Sequence, residues 1–134
     1  ELAPDHEIES AQNEGEIARA VALANKYPDI VKVIAVGNEA MIRWATSYFV
    51  RPNVILKWVN HLQDLKKDGK LSKDLWVTCS DDFASWGGGD PSYRVKDLEA
   101  IIKAVDYVTD IRTKEEALQD QILVPKTNAV NGKP

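Results

Sequence analysis

Two short polar runs stand at the ends of apolar segments. Val31 to Gly37 (VKVIAVG) runs into Asn38 and Glu39, and Leu75 to Cys79 (LWVTC) runs into Ser80, Asp81, Asp82 and Phe83, with Trp86 close behind. A carboxyl such as Glu39 can give or take a proton, an amide beside it can hold a hydroxyl, and aromatic rings offer flat apolar faces. Each residue also has a plainer reading. Glu39 could be a carboxylate favoured by the dipole at a helix start, the Asp81–Asp82 doublet a turn initiator, and Phe83 and Trp86 anchors that tie a glycine-rich loop to the surface.

The elements that would carry these residues alternate in type. Residues 13 to 27 place Ile17, Ala20, Val21, Ala24 and Tyr27 at helical spacing, and Pro28 stops that helix. Val31 to Gly37 is β-branched and almost unbroken in its apolarity, which predicts a strand covered on both faces of a parallel sheet. A second helix spans 53 to 68, with Val54, Ile55, Trp58, Val59, Leu62 and Leu65 on its buried stripe and Gly69 as its cap. Leu75 to Cys79 is the second strand. The polar loop from Ser80 to Ser92 is long for a connection between strand and helix, which marks it as a functional candidate. Val95, Leu98, Ile101, Ile102 and Val105 predict a third helix, Asp106 to Ile111 a third strand, and the Thr113/Glu116 capping box a fourth helix over 113 to 122.

Helix and strand in strict alternation require right-handed crossovers and a parallel sheet with helices outside it. The expectation is one α/β domain over residues 1–134, with an irregular start at 1–12 and a loose tail at 123–134. In such folds chemistry gathers at the carboxyl ends of the strands, where both polar runs fall.

Composition narrows the partners. The 17 Lys and Arg against 21 Asp and Glu give a net charge of −4 with no basic cluster, so no nucleic-acid footprint is present. No apolar run reaches the roughly 18 residues that span a bilayer, and residues 1 to 10 lack a signal-peptide pattern, so a soluble chain is expected. The single cysteine, Cys79, has no partner for a disulfide and is expected to be buried. His61 lies on the helix of Trp58 and Leu62 as a surface residue. Neither it nor His6 has a Cys or His at metal-ligand spacing, so no metal and no cofactor is expected. Trp44, Tyr48 and Phe49 follow Glu39 and are expected to serve core or dimer packing.

The runs VIAVGNEAM at 33 to 41 and SDDFASWGG at 80 to 88 resemble the fourth and fifth strand ends of glycoside hydrolase family 17, in its bacterial β-1,3-glucanase form. The resemblance extends over about residues 13 to 108. It implies a (β/α)8-barrel architecture, a β-glucan ligand, and a secreted or periplasmic setting. In that family the fourth strand ends in an Asn-Glu pair whose Glu is the acid/base, and Asn38 and Glu39 occupy those positions. A retaining glycosidase needs one carboxylic acid to protonate the departing oxygen, and a second carboxylate roughly 5 to 5.5 Å away to attack the anomeric carbon. The amide would hold the sugar 2-hydroxyl. Asp81 and Asp82 would bind sugar hydroxyls, and Phe83 and Trp86 would stack on pyranose faces.

A complete barrel takes about 250 residues, whereas this chain offers three strands, with ELAP at its start as a candidate fourth. The family nucleophile is a Glu at the end of the seventh strand. Nothing after Ile111 resembles that strand, and Glu115 and Glu116 open a helix. The expectation is therefore a half TIM barrel that carries the acid/base without its partner, and that completes its site with another chain, as a homo-oligomer, or with further parts of a longer protein. The alternative is a non-catalytic α/β fragment that oligomerises and binds carbohydrate weakly.

Overall fold

The computed structural model describes residues 7–87 and 91–111. Along the chain come helix α1 (Glu7–Lys26), strand β1 (Val33–Asn38), helix α2 (Pro52–Lys67), strand β2 (Trp76–Asp82), a 3-10 turn (Pro91–Tyr93), helix α3 (Lys96–Ala104) and strand β3 (Tyr107–Ile111). ELAP, the helix expected over 113 to 122 and the tail at 123–134 lie outside the described residues. Helix α1 begins at Glu7, six residues before the first residue that periodicity points to. Residues 7–12 (EIESAQ) are mostly good helix formers without an apolar stripe, so propensity extends the helix where periodicity is silent.

The three strands form one parallel sheet in the order β1-β2-β3. This is the architecture of consecutive β/α units, a partial α/β barrel. One core cluster joins Ile17 and Ala24 of α1 to Ile34 and Val36 of β1, the α2 stripe from Val54 to Leu62, Val77 and Cys79 of β2, and Leu98 and Ile101 of α3. Pro52 in the first turn of α2 has its φ preset for a helix start. At the other end the Lys70 amide donates to the Leu65 carbonyl at 2.9 Å while Gly69 takes φ +75°, a glycine cap that turns the chain back toward β2.

All three described helices contribute to the same core, so among the described residues only one face of the sheet is covered. On the other face Trp76 is 57% exposed, Val33 39% and Tyr107 37%. Among the described residues the expectation that β1 is covered on both faces is not met: burial alternates along the strand, with Ile34 and Val36 buried and Val33 and Ala35 exposed. The apolarity of β1 suits two covered faces, but what covers the second face is not among the described residues. Trp76 and Tyr107 meet edge to face there with ring centroids 5.4 Å apart. The Thr78 hydroxyl on that face donates to the Tyr107 carbonyl at 2.7 Å and lies 3.1 Å from the Thr109 hydroxyl.

Candidate active site

The end of β1 is built around a bulge. Ala35 pairs with Thr78 and Asn38 with Ser80, so Val36 and Gly37 together oppose Cys79. Simple alternation would turn Asn38 toward the helices; the extra residue brings it to the open face beside Ser80, where it is exposed. Gly37 takes φ +81°, and a Cβ there would stand 3.2 Å from the Ala40 Cβ, so both backbone and packing require glycine.

Glu39 follows as the described non-glycine residue with positive φ, at +50°. Its amide donates to the Ser80 carbonyl at 2.8 Å, which pins the residue to the carboxyl end of β2, and its side chain is half-buried. The next helix does not start until Pro52. Glu39 is thus not a helix-start carboxylate, and a left-handed backbone at a non-glycine residue, costing about 1–3 kcal/mol, persists only where its surroundings hold it.

Asp81 is one of those holders. It is fully buried on the helix side of β2, with Oδ2 accepting the Met41 amide at 2.9 Å and Oδ1 its neighbour Asp82's amide at 3.1 Å. Burial pushes its carboxyl above the ordinary 3.8; hydrogen bonds from Met41, Asp82 and Ser85 pull the other way, and the Asp82 charge adds to the rise. The carboxylate thus ties the turn after Glu39 to the second strand, and it is directed at backbone amides.

Asp82 lies on the open face, half-buried, and its Oδ1 accepts the Ser85 amide at 2.9 Å, starting the turn after β2. Phe83 is 37% exposed at that edge. Trp86 packs against the core, and its indole donates to the Thr109 carbonyl at 3.0 Å, so it anchors the loop to β3. Sequence reasoning missed a second anchoring set. Arg43, in the loop from β1 to α2, donates to the Ser92 carbonyl at 2.8 Å and lies 4.1 Å from the centre of the Tyr93 ring. The Arg94 guanidinium donates to the Gly87 carbonyl at 3.0 Å, and Gly87 itself takes φ +81°. No local pattern reports a contact between residues 49 positions apart, as Arg43 and Ser92 are.

A cavity of about 350 Å³ runs along the β1 side of this edge, lined among others by Glu16, Gly37, Asn38 and Tyr48. Asn38 lines it and Glu39 does not. Among the described residues no group of three or more His, Cys, Asp or Glu side chains could hold a metal ion, and no helix is long and apolar enough to cross a membrane. Cys79 is buried as expected: burial, then the nearby Asp81 charge, push its thiol up to about 12, so it is inert near neutral pH. His61 is exposed and stands edge-on to Trp58 at 5.6 Å. Trp44, for which core or dimer packing is expected, is 77% exposed and so is not a core residue.

Among solved structures the chain is similar to the crystal structure of an endo-laminarinase from Formosa Hel1_33_131. The identity is 72%. The match covers 72% of this chain and 25% of that one, with a TM-score of 0.71. The chain thus spans about a quarter of the length of the protein it matches. No family model matches the chain, and no curated protein matches it.

Proposed function

We propose that this chain is the acid/base-bearing part of a β-glucan hydrolase of the glycoside hydrolase family 17 type, with Glu39 as the general acid. The observation that carries the reading is the glycine bulge at the carboxyl end of β1, which turns Asn38 to the open face and sets Glu39 beside Ser80. The 72% identity to an endo-laminarinase supports the choice of substrate class.

In this reading Glu39 protonates the departing glycosidic oxygen and then, as base, activates the water that releases the sugar. The Asn38 amide holds the 2-hydroxyl as positive charge develops on the ring. Asp82 keeps acceptor capacity beyond its bond to Ser85 for a sugar hydroxyl, and Phe83 offers a ring face at the same edge. Asp81 acts from behind, by holding the Met41 amide, and Trp86 by anchoring the loop. The attacking carboxylate comes from outside this segment, either from further parts of a longer protein or from another copy.

Hydrolysis of laminarin by the purified chain over a range of protein concentrations tests the reading. Release of reducing ends that Glu39→Gln lowers about 100-fold or more is the expected result, the loss typical of removing a general acid/base. The exposed Trp76 and Tyr107 favour a second reading, a fragment that associates through its open face and binds glucan without cleaving it. Absence of hydrolysis at every concentration, with laminarin still bound, would favour that one over a site completed by another copy.

A further inference from the structure

Trp44 is 77% exposed, more than Trp76 at 57%, while Trp58 is buried, and the loop that carries it is held by backbone hydrogen bonds. Val50 donates to the Ala40 carbonyl at 2.7 Å and closes the loop's two ends on each other. Within it, Ala45 donates to Ile42 and Tyr48 to Ala45, both at 3.1 Å, while Met41, Ile42 and Ala45 are buried. Arg43 next door is fastened to Ser92 and stacked on Tyr93. The indole is therefore presented by a backbone fixed on both sides of it.

The loops at this edge are rich in aromatic residues. The two loops at the carboxyl edge hold Trp44, Tyr48, Phe49, Phe83, Trp86 and Tyr93, six of the chain's ten aromatic rings (four Trp, four Tyr and two Phe). Trp86 and Tyr93 are accounted for by the loop contacts already described; Trp44 is not. A flat apolar face on a fixed backbone suits a ligand that itself offers an apolar face, as a pyranose ring does inside its hydroxylated rim. We propose that Trp44 is a stacking platform for one glucose unit of a β-glucan chain, at a subsite further along the loop that begins at Glu39. This inference rests on the β-glucan reading above, and it replaces the expectation that Trp44 serves packing.

The test is titration of the chain with a β-1,3-linked glucose hexasaccharide, followed by the tryptophan indole resonances. Wild type is compared with Trp44→Ala, Trp44→Phe and Trp76→Ala, the last altering a ring at the opposite end of the sheet. The Trp44 resonance is expected to move on titration. Trp44→Ala should weaken binding roughly 3- to 10-fold, the range of an aromatic contact. Trp44→Phe should recover much of that, and Trp76→Ala should bind nearly as wild type. Wild-type affinity in Trp44→Ala overturns the platform and leaves the β-glucan reading standing. A Trp44 resonance that moves with protein concentration and not with sugar also overturns it, in favour of a second copy covering the ring. A wild-type chain that binds no hexasaccharide overturns both.

Discussion

Asp81 and Gly37 set the geometry around Glu39 without facing the open side of the sheet. A buried Asp81 carboxyl bonded to two backbone amides does two jobs: it satisfies the Met41 donor, and it holds the turn that follows Glu39. Replacing it with alanine leaves the Met41 amide buried without an acceptor, which should cost about 1–3 kcal/mol in urea unfolding. The pH dependence has a defined sign. The folded carboxyl titrates above the ordinary 3.8, so between the two values the folded chain keeps a proton that the unfolded chain has released. Its stabilising contribution is complete below 3.8 and is lost as pH rises through the folded value. Asp81→Asn should remove that fall from a plot of unfolding free energy against pH; an unchanged slope would show that another group causes it. Gly37→Ala forces an L side chain into a left-handed backbone and against Ala40, so a loss of about 1–2 kcal/mol is expected, with Asn38 and Glu39 amide resonances shifting before the core does.

At the level of elements, helix α2 is fastened to the start of β3 from below. Lys66, whose side chain is 11% exposed, lies 2.8 Å from Asp106 Oδ2, and the same oxygen accepts the Val77 amide at 2.7 Å. The Asp106 amide in turn donates to the Val77 carbonyl at 2.8 Å. One carboxylate thereby joins a helix and two strands at the amino end of the sheet, where a role in stability rather than chemistry is expected. Partial burial raises the Asp106 carboxyl, but the Lys66 hydrogen bond, the Val77 amide, the Lys66 charge and Gln63 outweigh it, so the net shift is downward. Here the stability is present above the ordinary 3.8 and is lost as pH falls through the folded value, opposite in sense to Asp81. Asp106→Asn should cost about 1–3 kcal/mol near neutral pH and should flatten the acid limb of the unfolding curve. Retention of that limb would exclude Asp106 as its source.

For the whole molecule the open face dominates. Val33, Trp76 and Tyr107 leave apolar area in water on the side of the sheet opposite the helices, and association would remove it. Light scattering at rising concentration should therefore report a species larger than the 14.9 kDa monomer, and Trp76→Ser should shift the profile toward the monomer. A monomeric profile throughout would leave the half-barrel dimer without support and would assign the open face to further parts of a longer protein.

Much of the α/β order is legible in the sequence alone. The α2 stripe, the Gly69 cap and the three strands are local patterns of apolar spacing and turn chemistry, and each lies within a few residues of its expected place. So does the assignment of Asn38 and Glu39 to a strand end, because a parallel sheet sends its strand ends to one edge. Direction and partnership were not legible. Asp81 and Asp82 are neighbours of the same type, yet one is buried behind the sheet and the other lies on its open face, since alternation along β2 sorts them. The bulge at Gly37 reverses that alternation for Asn38. Arg43 meets Ser92, and Met41 meets Asp81, across 49 and 40 residues. Local spacing determines which elements form, because it acts within a turn of helix or a pair of strand residues; which side chains meet depends on register and crossover, and those exist only once the sheet has been assembled.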